Sequence, residues 1–142
     1  MFADSLLVAE QLSFLRLMIW GSANVIAAAV TLALVGTIWR NSELLRVFGA
    51  ACGALGGLEL VGGWVGYRTA VLRDYGAAVR LDRLLWLDLG TCIGALALGI
   101  TLAIMGWRLS RRLPLVGVGV AIVTHAAAVA LIDLRLVAIL SR

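Results

Sequence analysis

Five side chains of this sequence belong to types that handle protons, metals or cofactors, and each lies inside a strongly apolar stretch. They are Asn24, Glu59, Asp88, His125 and Asp133. Glu59 stands between Leu58 and Leu60 with glycines on both sides. A lone charge at the centre of a bilayer costs about 2.5–3.5 kcal/mol on insertion scales. Glu59 must therefore be neutral, paired or open to water. If four helices face a common interior, Asn24, Glu59, Asp88 and Asp133 gather into one polar cluster towards one end of the bundle. Such a cluster has two readings. It is either a proton-accepting or cation-binding pocket, or a hydrogen-bond network that fixes helix register, with Arg16, Arg68, Arg83 or Arg135 reaching in as partners.

His125 is the only histidine, and Ala121 precedes it by about one helical turn. A small residue four before a histidine leaves room for a flat macrocycle. The spacing resembles the way light-harvesting polypeptides present an axial ligand to bacteriochlorophyll, so a tetrapyrrole at His125 is one reading. The other is a hydrogen-bonded packing histidine, and no second histidine is present for a bis-histidine haem. No cofactor or metal is otherwise implied. The Glu-x-x-His motifs of di-iron bundles are missing. So are HExxH, a phosphate-binding glycine loop and a GxSxG elbow. The expectation is a protein that is not an enzyme.

The elements that must position these residues follow from composition. The chain has 142 residues, of which 63% are hydrophobic and 14% charged, and its mean hydropathy is +1.05. Soluble domains are about half apolar and about a quarter charged, so lipid is the natural solvent. A crossing takes about 20 apolar residues, and four fit here with short connections. The expected fold is an all-α integral membrane four-helix bundle, one transmembrane domain over 1–142, with spans at about 15–39, 44–67, 84–107 and 114–139. Residues 1–14 read as a helical juxtamembrane lead-in without a clean apolar stripe. The first hydrophobic run lacks the basic start of a cleaved signal and is expected to be retained. Asn41 or Ser42 suits an N-cap. Gly76 is expected to interrupt a long connection from Arg68 to Arg83, and Pro114 suits the first turn of the last helix. Cys52 and Cys92 fall at different depths, as two small buried side chains without a disulfide.

Every basic residue is arginine, and the net charge is +4. The arginines flank apolar runs and form no basic stripe, which excludes nucleic-acid binding. Trp20, Trp64, Tyr67 and Trp86 fall at the end of the bundle that holds both termini, here called the near side. Trp39 and Trp107 fall at the far side, as expected of headgroup-level belts. The arginine count near span ends favours a cytoplasmic near side.

Small residues four apart form a flat strip for helix contact. Gly49, Gly53, Gly57, Gly62 and Gly66 provide one in the second span, and Gly90 and Gly94 another in the third. They predict close packing against a helix of this chain or of another. Thr31–Gly36 matches Thr101–Gly106, and Leu58–Leu60 resembles Ile132–Leu134. These matches are either chance among Leu, Ala and Gly or the trace of two duplicated helical hairpins.

Two family resemblances follow. Leu15-Arg16-Leu17-Met18-Ile19-Trp20-Gly21-Ser22-Ala23-Asn24, Leu87-Asp88-Leu89-Gly90 and the late Asp133 resemble an uncharacterised family of short bacterial four-helix membrane proteins, a domain of unknown function. That resemblance implies a multi-pass protein of the bacterial inner membrane and supplies no activity. Glu59-Leu60-Val61-Gly62-Gly63, with Gly66 and Arg68, is similar to the second helix of the DoxX-like group, whose members are accessory subunits of membrane redox complexes. The function expected is a non-enzymatic accessory or scaffold subunit that packs against another integral membrane protein or itself. A small-solute or proton pathway around Glu59 is the alternative.

Overall fold

The computed structural model describes residues 2–38, 42–109 and 112–141. Trp39, Arg40, Asn41, Arg111 and Arg142 lie outside the described residues. Four helices account for the fold: α1 (Phe2–Thr37), α2 (Glu43–Thr69), α3 (Tyr75–Arg108) and α4 (Leu113–Leu140). Each is long and apolar enough to cross a membrane.

Local chemistry sets the helix ends. The Ser42 hydroxyl accepts from the Leu45 amide at 3.4 Å, and Pro114 lies in the first turn of α4. The connection between α2 and α3 is much shorter than the sequence suggests. The Asp74 carboxylate accepts from the Ala77 amide at 2.7 Å and starts α3 at once. Gly76 is thus absorbed into the first turn, where a helix amide needs no intrahelical partner. Residues 1–14 are no separate lead-in either, because from Phe2 onward they are continuous with α1. Leu6, Ala9, Glu10 and Ser13 are all buried. That stripe has helical spacing, but half of it is polar, which hides it from an apolar pattern.

The helices pair as two antiparallel hairpins, α1 with α2 and α3 with α4. α4 joins them by packing on both α2 and α1. Among the described residues the backbone of α3 approaches that of α4 alone. Two related hairpins would match the α1–α4 contact with one between α2 and α3; that contact is missing, so any repeat symmetry is broken.

The hairpins are held by close backbone approach. A Cβ on Gly21 would sit 2.5 Å from the Gly56 carbonyl oxygen, and one on Gly119 would sit 2.5 Å from that of Gly99. Gly49, Gly53, Gly63 and Gly66 also face α1. Gly57, Gly62, Gly90 and Gly94 instead point into open space and pack on no helix of this chain. The reason is angular. Four residues advance by about 400° and drift around the axis, whereas seven advance by about 700° and nearly return to one line. Gly49, Gly56 and Gly63 are seven apart and line the α1–α2 seam, which Gly53 and Gly66 flank.

A core cluster at the near side combines Leu6 and Ala9 of α1, Ala78, Leu81, Leu85 and Leu89 of α3, and Leu136 and Val137 of α4. A second, smaller one joins Ala28, Cys52 and Ala121. Cys52 and Cys92 are free and buried.

Candidate functional site

The polar residues form three groups rather than one cluster. The first lies where α1, α2 and α4 converge. His125 Nδ1 and Glu59 Oε1 share a hydrogen bond of 2.8 Å, and His125 is only 4% exposed. The Trp20 ring meets the imidazole edge-to-face, with ring centroids 6.0 Å apart. Glu59 Oε2, His125 Nε2 and Trp20 Nε1 are buried and make no hydrogen bond among the described residues. An imidazolium with a carboxylate, or an imidazole with a carboxylic acid, carries no net charge. Either form avoids the cost of a lone charge in lipid. Trp20 is half-buried, with its ring between this pair and the α1–α4 face.

The room expected beside His125 for a macrocycle is filled. Ala121 is 0% exposed, packed with Ala28 and Cys52. His125 is thus closed in on this side and has Glu59 as its partner.

The second group joins α3 and α4. Ligand-type atoms of Asp88, Cys92 and Asp133 all lie within 4.8 Å of one another. Thr91 Oγ1 is 2.7 Å from the Asp88 carbonyl oxygen and 3.2 Å from Asp88 Oδ1, while Asp133 Oδ2 is buried without a partner. Facing carboxylates repel one another when both are ionised. Three donors of mixed hardness are one short of a closed tetrahedral shell.

Asn24 joins neither group. Its amide donates to the Trp20 carbonyl oxygen at 2.8 Å, and its Cβ lies along the Gly56 seam.

The third group escaped the sequence reading. Glu10, 2% exposed, accepts two hydrogen bonds from the Arg73 guanidinium, 2.8 Å from Nε and 2.5 Å from Nη2. This bidentate pairing is among the strongest polar contacts proteins make. Arg73 lies in the short α2–α3 connection, and its bond to Glu10 raises its pKa further above the ordinary arginine value, against a smaller opposing effect of burial. The signal available in sequence was Glu10 at one helical turn from Leu6 and Ser13.

Glu10 and the aspartates border one crevice. It has a volume of about 420 Å³ and runs between α1 and α3, with α4 behind it. Its walls are mostly apolar, including Phe14, Leu17, Leu85 and Ile132, with Glu10, Ser13, Asp88, Thr91 and Asp133 as the polar edge. The gap follows from topology, since the α1 and α3 backbones do not meet.

Four apolar helices with carboxyl groups paired in their interior define a multi-pass helical membrane protein. No protein-family model matches the sequence, and no curated protein or solved structure matches the chain.

Proposed function

We propose that this chain is a non-enzymatic, membrane-embedded accessory or scaffold subunit. It docks another transmembrane helix, from a partner protein or a second copy, on the outer face of α3. The observation carrying this reading is that, among the described residues, the α3 backbone approaches that of α4 alone while Gly90 and Gly94 point into open space. Small residues four apart let helices approach closely. On the family resemblance, the reading assigns the protein to a bacterial inner membrane. On the arginine count, it puts both termini in the cytoplasm.

Native mass spectrometry of the protein released gently from its own membrane tests this. Additional polypeptides, or a homo-oligomer, are expected, and Gly90→Leu with Gly94→Leu should release them while the monomer stays folded. A monomer alone, recovered also after crosslinking in the intact membrane, overturns the reading.

A second reading is a proton or small-solute pathway. It is supported by Glu59 Oε2, His125 Nε2 and Asp133 Oδ2, three buried atoms free to exchange a hydrogen bond. It predicts that Glu59→Gln abolishes a flux across proteoliposomes, and an unchanged flux removes it.

A further inference from the structure

A second crevice, of about 370 Å³, lies between α1 and α4 and differs in charge from the first. Arg16 and Arg135 border it, and its apolar lining includes Ile19, Ala23, Ala128 and Leu131. Ile132 lines both crevices. One therefore presents carboxyl groups and the other guanidinium groups. Among the described residues neither Arg16 nor Arg135 makes an ion pair or a side-chain hydrogen bond. Asp133, two residues before Arg135, turns its carboxyl towards Asp88 and Cys92.

Arg135 is five residues before the end of α4 at Leu140, about 8 Å along a helix. Arg16 lies deeper: it comes four residues before Trp20, whose ring meets that of His125, whereas Arg135 comes ten residues after His125. Both side chains border the same crevice, and long basic side chains at such positions reach towards the headgroup layer for their counter-charge.

We infer that the α1–α4 crevice binds one anionic phospholipid, with its phosphate between Arg16 and Arg135 and an acyl chain against Ala23 and Ala128. Charge complementarity selects the headgroup. Guanidinium groups match phosphate oxygens with paired N–H donors, and basic pockets between helices bind such headgroups. The apolar lining selects a lipid over free phosphate, because a phosphate ion would leave Ile19 and Leu131 facing nothing it can contact. The volume lies within the range of about 300–1,000 Å³ typical of small-molecule pockets. The two opposing alanines make that space, since larger side chains there would close it. The inference is independent of any protein partner on α3.

The test uses the full chain in mild detergent, with native mass spectrometry reading retained lipid. Phosphatidylglycerol and phosphatidylcholine with identical acyl chains are added in turn, and inorganic phosphate serves as competitor. One phosphatidylglycerol should remain bound when phosphatidylcholine does not, and millimolar phosphate should leave it in place. Arg16→Gln with Arg135→Gln should weaken retention roughly thirtyfold, from two basic contacts near the membrane surface. Arg80→Gln, away from the crevice, should not change it. Ala23→Leu keeps both charges and, because Ala23 is exposed, leaves the core intact; it should also weaken retention by filling the groove. Equal retention of the two lipids, or of phosphatidylglycerol by the double arginine variant, overturns the site. Displacement by phosphate alone, or an inert Ala23→Leu, overturns the lipid as occupant.

Discussion

Removing Arg73 should harm this protein more than removing the carboxylate it binds. Glu10 is 2% exposed, whereas the Arg73 side chain is 26% exposed. Arg73→Ala leaves a carboxylate buried between α1 and the bundle core without its two donors. Breaking a buried pair this way costs about 3–5 kcal/mol. The partial exposure of Arg73 screens the pair, so about 3 kcal/mol is expected. Glu10→Gln leaves an amide oxygen that still accepts one bond, and the guanidinium can turn towards water, so its cost should be about 1 kcal/mol. Replacing both, as Glu10→Leu with Arg73→Ala, should recover most of the loss, because neither charge then remains to be desolvated. Reversible unfolding in mixed micelles, followed by far-ultraviolet circular dichroism, measures all three. Equal costs for the two single variants, or no recovery in the double, would refute the argument that the buried carboxylate sets the penalty. The pH dependence has a definite sign. Because the Arg73 pKa is raised on folding, its contribution is complete below the unfolded value and is lost only as pH climbs through the still higher folded value. Stability from the arginine arm should therefore be flat between about pH 7 and 10, which the same unfolding titration checks.

Other expectations can be checked alongside. Gly21→Leu places a side chain against the Gly56 carbonyl and should cost about 1–3 kcal/mol of stability by overpacking. Gly57→Leu, on a face that meets nothing, should be neutral or slightly stabilising in the same unfolding assay. His125→Leu strands Glu59 in the bundle interior and should cost about 3 kcal/mol or more. Adding Glu59→Leu should restore much of that, and a non-additive double-mutant cycle is the sign to look for. Asp74→Ala removes the cap of α3 and should cost about 1 kcal/mol, with faster amide hydrogen exchange confined to the first turns of that helix.

The sequence made the four helices legible because hydrophobic runs of this length have one stable solution in lipid, where every backbone polar group must be satisfied internally. Glu59 and His125 were both recognised as polar groups inside the membrane, yet their pairing was not, because they lie 66 residues apart. Nothing in either helix alone indicates the partner. Asp88 and Asp133 were grouped with Glu59 on depth, whereas rotation about the α4 axis decides which neighbour each carboxyl meets. The glycines repeat that lesson. The four-residue strip placed Gly49, Gly53 and Gly66 against α1 but not Gly57 or Gly62, and it passed over Gly56 and Gly63, since a contact line between nearly aligned helices keeps a seven-residue period. Glu10 was missed because its stripe combines Leu6 and Ala9 with Glu10 and Ser13, and a polar residue on a buried face carries no hydrophobic signal.

The partnering of Glu59 also bears on how the chain is made. A ribosome adding about 5–20 residues per second needs roughly 3–13 s to extend from Glu59 to His125, given their separation of 66 residues. During that interval α1 and α2 can already close their glycine seam, but the carboxyl group of Glu59 has no imidazole to meet. Insertion of α4 supplies that imidazole and in the same step ties the two hairpins together. The nascent chain therefore carries a polar mark of incompleteness that disappears only when its fourth helix is seated.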